Sequence, residues 1–358
     1  MTMNPRMRPS SRRRRHNKRG NNVEKLRFGI IGCGSIATSS FAPSLIKSDR
    51  ADLVAVCRRD LDKAKEFAAR FGDCAAYGSA EELIDAPDID AVIVSTPTDY
   101  HCDYTLLAAS RSKHVICEKP MARNAAECRE MIDACRQAGV SLGVAYRRRL
   151  FPQTLKAKEL IAAGRIGRIV CVRTHYSGLM NAGPDDWRTE PGIGGAMMEM
   201  AVHRIEVLLN FGGRPTEVSA LVETVRHDWS VDDSDALLIK FADGHIGIHS
   251  TILTSPPRRD QAIVDGTEGR IIIDPLEFDA DRILLELPDG IEEIPVAPLE
   301  RPYFDLPMID DFVDAVREGR PPVCDALAGY WTQATADAAF FSALEKKTMA
   351  VEQLEEIP

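Results

Sequence analysis

The segment that most constrains this 358-residue chain is Leu26–Ile31 followed by Gly32-Cys33-Gly34-Ser35-Ile36-Ala37. A short apolar run that breaks on two glycines and continues into a helical stretch matches the strand–turn–helix of a dinucleotide-binding unit. Gly32 allows a tight turn, and Gly34 lets backbone N–H groups approach a pyrophosphate at the helix N-terminus. Ala37 is small enough for close helix–strand packing. The alternative is a glycine-rich turn with no ligand, and the surrounding pattern decides between the two.

That pattern alternates. Strands are expected at Leu53–Cys57, Ala91–Val94, Val115–Cys117 and Leu142–Ala145. Between them come a helix ending near Lys47, one capped by Asp60 and running to Arg70, and one opened by the Ser79/Glu82 capping box. Two more cover Tyr100–Ala109 and Asn124–Ala138, the latter closed by Gly139. Strands alternating with helices imply a parallel, doubly wound sheet, hence an α/β fold.

After Arg149 the rhythm changes. A helix at Gln153–Ala163 precedes strands at Ile169–Tyr176, Glu217–Thr224, Ala236–Phe241, His245–Ile252, Gln261–Val264, Arg270–Ile273 and Ile283–Glu286. Asp243-Gly244 and Asp289-Gly290 are hairpin signals, and helices return at Phe304–Val316 and Ala326–Leu344. The expected organisation is a disordered basic leader over residues 1–22 and a dinucleotide-binding domain over 23–149. An α+β substrate and oligomerisation domain with a large, mostly antiparallel open sheet takes 150–358, its last helices packing back toward the first domain.

The leader carries Arg6, Arg8, Arg12, Arg13, Arg14, Arg15, Lys18 and Arg19 and no acid, so the rest is more acidic than the net charge of −9 indicates. Such a body repels a nucleic-acid backbone, and no nucleic-acid partner is expected. An export signal needs an apolar stretch after its charges, whereas Gly20-Asn21-Asn22-Val23-Glu24-Lys25 is polar. A dispensable extension is therefore preferred to an export signal or a binding arm. No apolar stretch approaches the ~20 residues that span a bilayer, so no membrane partner is expected either. Nine cysteines without a Cys-x-x-Cys fit a reduced, cytoplasmic setting.

The second strand runs into Arg58-Arg59, where an acid would hold the ribose 2′-hydroxyl of NAD. A guanidinium there takes a 2′-phosphate bidentately, which favours NADP(H) over NAD(H); a solvated arginine pair beside a capping Asp60 is the other reading. Ser95-Thr96-Pro97 follows the strand Ala91–Val94, so Thr96 and Pro97 are expected to border the nicotinamide ribose. His101 is assigned to the start of the next helix rather than to the reaction.

With Glu118-Lys119-Pro120, Trp187-Arg188, Gly194-Gly195, Glu199 through His203, and Phe312 through Pro322, the chain resembles the glucose-fructose oxidoreductase / inositol 2-dehydrogenase family of NAD(P)-dependent oxidoreductases. The resemblance covers Leu26 to Val351. It implies a Rossmann domain, hydride transfer with a sugar, cyclitol or related polyol, and a homodimer or homotetramer formed through the C-terminal sheet. It further implies a catalytic Lys119 preceded by Glu118, and a cis bond to Pro120. His203, four residues after Glu199 on one helix face, is the second acid/base group, with Glu199 as its orienter; the family has aspartate where Glu199 and Glu206 stand. Arg188 is expected against the cofactor, and Trp187 against the substrate, where a structural anchor is an equal reading. Tyr146 and Arg148 are the substrate-binding candidates from the Tyr146-Arg147-Arg148-Arg149 run. His245 and His249 merely share a strand face, and no metal is expected. A non-catalytic NAD(P)-binding regulator and a glycosidase with tightly bound NAD are the competing function classes, and retention of both Lys119 and His203 weighs against the regulator.

Overall fold

Near-continuous apolar runs build the first sheet of this computed structural model, which describes residues 25–72, 74–183 and 186–354. The expected leader lies outside those residues. Strands β1 (Leu26–Ile31), β2 (Ala51–Cys57), β3 (Ala75–Tyr77), β4 (Ala91–Val94), β5 (His114–Cys117) and β6 (Leu142–Val144) pair in parallel in the order β3-β2-β1-β4-β5-β6. All four residues of β4 are buried, as a sheet covered by helices on both faces requires. Between β1 and β4 the strand order reverses, which opens a crevice at their carboxyl ends.

Local chemistry sets the helix ends. Asp60, Ser79 and Asn124 accept from the N–H groups of Lys63, Glu82 and Glu127, and Gly139 closes Ala125–Ala138 in a left-handed conformation. β3 was not expected: three half-exposed residues leave no apolar run to read.

The second sheet contains β7 (Ile169–Leu179), β8 (Pro215–Glu223), β9 (Ser234–Phe241), β10 (Ile246–Ile252), β11 (Thr254–Gly266), β12 (Arg270–Ile273), β13 (Arg282–Leu287), β14 (Gly290–Pro295) and β15 (Met349–Ala350). Its order is β14-β13-β12-β11-β7-β10-β9-β8-β15, antiparallel except for β7 beside β10. β14 and β15 escaped the sequence reading because one is mostly exposed and the other is two residues long. Along β9 buried and exposed residues alternate strictly. The helix Val202–Gly212 packs on one face, and Leu221, Leu238, Ile246 and Ile248 stand exposed on the strands.

The helix Ala326–Glu345 joins the two sheets. A Cβ on Gly329 would stand 2.5 Å from Met121 Sδ and 2.8 Å from a Val144 methyl, so only glycine lets the helix this close to β6. Near its other end, Ser342 Oγ accepts from Ala220 N of β8 at 3.0 Å. The segment before this helix extends the first sheet: Val144 N donates to Cys324 O at 2.9 Å, and Gly143 bridges Asp325.

Candidate active site

Two adjoining cavities of about 540 and 520 Å³ occupy the crevice, and Gly34, Ser95, Thr96 and Pro97 line both. Gly32 turns with φ +99°, and a Cβ there would lie 2.4 Å from Ser95 O, so no other residue fits. Around Gly34 the space is open. Arg58 and Arg59 line the smaller cavity with Ser79, Tyr100 and Tyr104. Arg58 Nη1 donates weakly to Cys33 O (3.4 Å), Arg59 lies 5.8 Å from the Tyr100 ring centre, and Asp60 is committed to its helix cap. The hydroxyls of Ser95 and Thr96 are buried without partners. An open helix N-terminus, orphaned hydroxyls and two cations suit a dinucleotide.

Ser35, Ile36, Glu118, Lys119, Arg147, Arg148, Trp187, Glu199 and His203 line the larger cavity. The Lys119-Pro120 bond is cis, as the resemblance implied. Lys119 Nζ donates to Glu199 O at 3.0 Å and lies 4.0 Å from Glu199 Oε2. That carbonyl sits in a π-helical turn, Met197–Ala201, at the start of the helix; Asp232 Oδ2 caps the turn by accepting from Met197 N at 2.8 Å. Burial pushes the Asp232 carboxyl up to about 7. No hydrogen bond joins Glu199 to His203 among the described residues. Glu199 Oε1 is buried without a partner, and the observed neighbour of Glu199 is Lys119 rather than the imidazole. Burial, followed by the charges of Lys119 and Arg148, holds His203 well below the ordinary histidine range, so the ring is neutral at pH 7.

Behind Lys119 runs a buried chain of charges. Glu118 accepts from Lys119 N (2.7 Å) and Arg147 Nη2 (2.5 Å), and Arg147 Nε is 3.0 Å from Asp305 Oδ1. Phe41 and Phe304 flank the Arg147 guanidinium at 5.6 and 5.3 Å. Burial raises Asp305 to about 6, against the lowering effect of Arg147. The three arginines point three ways because Arg147–Leu150 is a 3₁₀ turn, which repeats every three residues. Arg147 meets Glu118, Arg148 faces the cavity, and Arg149 meets the buried Glu206.

Two expected positions do not reach the cavity. Tyr146 is fully buried in the core and lines neither cavity. The Arg188 guanidinium is bound by Asp186, and Trp187 faces the cavity instead. His101 does start its helix, but its buried ring also ties the site's two loops together, 2.8 Å from Pro120 O and 2.9 Å from Thr96 O. Phe151, Glu277, Phe278, Arg301 and Phe304 were missed entirely. Phe151 directly follows the Arg147–Leu150 turn, while the other four come from segments far along the chain that only the fold brings to the cleft. His245 lies 2.8 Å from Gly212 O and His249 2.9 Å from Thr174 Oγ1, and no metal-holding group occurs among the described residues.

A crevice of this construction, at the switch point of a parallel sheet and walled on its other side by Trp187, Glu199, His203 and the Glu277-Phe278 turn, defines a dinucleotide-dependent oxidoreductase. Residues 26–146 match the family described as "Oxidoreductase family, NAD-binding Rossmann fold", and residues 154–272 match "GFO/IDH/MocA C-terminal domain". D-xylose 1-dehydrogenase (NADP(+)) 2 of Haloferax volcanii is 31% identical over 326 residues, 88% of this chain and 97% of that protein. Trans-1,2-dihydrobenzene-1,2-diol dehydrogenase of Mus musculus is 33% identical over 249 residues, 68% of this chain and 73% of the other. The structure of levoglucosan dehydrogenase with NADH superimposes with a TM-score of 0.84 at 26% identity, covering 92% of this chain and 100% of that one. The chain belongs to the GFO/IDH/MocA family. It is an NAD(P)-dependent dehydrogenase or reductase acting on CH–OH groups.

Proposed function

We propose that this enzyme is an NADP(H)-preferring, metal-independent dehydrogenase or reductase of sugar-like alcohols and carbonyls, with Lys119 and His203 as its acid/base pair. The observation that carries this reading is Lys119 Nζ held by Glu199 O inside the cavity that His203 also lines. Residues 23–149 form the cofactor unit and 150–358 the substrate unit. The N–H groups around Gly34, Ser35 and Ile36 hold the pyrophosphate, Thr96 and Pro97 border the nicotinamide ribose, and Arg58 and Arg59 take the 2′-phosphate. Glu118 supports the cofactor side through its bond to Lys119 N.

The bound nicotinamide supplies or accepts the hydride. Lys119 donates a hydrogen bond to the reacting oxygen of the substrate, and the neutral His203 takes up its proton in the oxidative direction and returns it in the reductive one. Glu199 orients Lys119 and leaves a carboxylate oxygen free for a sugar hydroxyl. Trp187 and Phe151 offer apolar faces to the ring. Nine free cysteines, seven of them buried, accord with a reducing, cytoplasmic setting, and the exposed apolar residues of the second sheet accord with a dimer or tetramer.

The test pairs NADP+ and NAD+ with a panel of aldoses and polyols and follows nicotinamide absorbance. Turnover is expected with better kcat/KM for NADP+. Lys119→Ala should retain cofactor binding and lose about 10²-fold or more in turnover. Full activity in that variant would remove the mechanism.

A further inference from the structure

The cavity holds more positive charge than its own carboxylates neutralise. Arg148, on the cavity wall beside His203, is 11% exposed at its side chain and sits 3.5 Å from Asp260 Oδ2 and 3.9 Å from Glu277 Oε1. Both carboxylates are already taken. Asp260 receives the two-pronged grip of the buried Arg204, and Glu277 pairs with Arg258. Among the described residues, the one hydrogen bond that Arg148 makes is a long one, from Nε to Leu276 O at 3.4 Å. Arg301, on the same wall, lies over the Phe278 ring at 4.6 Å, with no carboxylate within 4.0 Å among the described residues. A single turn, Leu276-Glu277-Phe278, brings the two cations together, because it meets Arg148 through its first two residues and Arg301 through its third.

From this juxtaposition we infer that the substrate is an anionic sugar, whose carboxylate or phosphate is received by Arg148 and Arg301 while its hydroxyls meet Glu199, Glu277 and His203. This inference rests on the proposed sugar-oxidoreductase reading of the same site. A guanidinium with loose partners in a cavity wall gains from a further anion, and bidentate recognition of carboxylate or phosphate is what its planar fork provides. Phe278 stacks on Phe304 at 5.1 Å, which places an apolar ledge beneath the charged end.

The experiment compares D-glucose with D-glucuronate and D-glucose 6-phosphate by steady-state kinetics, and by quenching of Trp187 fluorescence against a Trp187→Phe control. One of the two anions should show at least about tenfold higher kcat/KM and tighter binding than glucose, and which one it is names the group. Arg301 is exposed at the rim, so Arg301→Gln should fold; it should narrow that preference about tenfold, chiefly through KM. Arg148→Gln should do the same if it folds. Equal or better use of glucose, or an unchanged preference in Arg301→Gln, would overturn the inference. If no sugar is turned over with either cofactor, the proposed activity fails, and the fluorescence titration still decides whether the site prefers an anion.

Discussion

At the scale of single residues, charge placement carries the site, and only part of it could be read from the sequence. That Lys119 and His203 belong to one cleft was legible through the resemblance carried by Glu118-Lys119-Pro120 and by Glu199 through His203, and both do line the larger cavity. Their immediate partners were not. Glu199 reaches Lys119 instead of the imidazole, and the Asp305–Arg147–Glu118 chain joins residues whose meeting depends on tertiary packing. Asp232, which caps the Met197–Ala201 turn, offers a measurable consequence of the same burial. Its carboxyl keeps its proton up to about 7 in the fold, against about 3.9 in an unfolded chain. Such a group adds stability that is fully present below pH ~4 and is lost as pH rises through the folded value. Chemical denaturation of Asp232→Asn, which does not titrate, should lack that loss. Between pH 4 and 7 the wild type should fall relative to the variant by up to about 1.4 kcal/mol per pH unit.

At the scale of elements, the periodicities that reveal strands and helices were strong wherever an element is long and one-sided or fully buried. β1 and β4 fall on their expected residues, and Ala125–Ala138 lies within its expected span and stops at Gly139 as expected. The two π-helical turns, Ala37–Phe41 and Met197–Ala201, left no trace in the pattern, since one extra residue in a turn does not disturb an apolar stripe. Both occur where a helix begins at the cleft. The β1–helix turn is the least tolerant of these elements. Gly32→Ala would drive a methyl into Ser95 O and place alanine at a positive φ. Titration with NADPH should show binding lost or weakened at least tenfold, together with a lowered melting temperature. Unaltered binding would mean that the turn does not form the cofactor floor.

At the scale of the whole molecule, the sequence pointed to two sheets of different character, and only the family resemblance assigned the open face of the second to a subunit interface. Burial alternates along β9, and Leu238 points away from the core toward Ser219 and Ile248 on its neighbours. Light scattering should give a dimer or tetramer, and Leu238→Glu should shift the mass toward a monomer while preserving the far-ultraviolet spectrum. A monomeric wild type would leave that apolar face without the proposed role. The pairing of β6 with Cys324 and Asp325 has a consequence for synthesis. The first sheet is nearly complete once residue 150 has left the ribosome, yet the residues that cover its last edge come more than 170 positions later. At ~5–20 residues per second, that edge waits roughly nine to thirty-five seconds for its partner. During that interval the nascent chain presents one unpaired strand edge, and slow translation would lengthen the time in which a chaperone or a neighbouring nascent chain can take the place of Cys324 and Asp325.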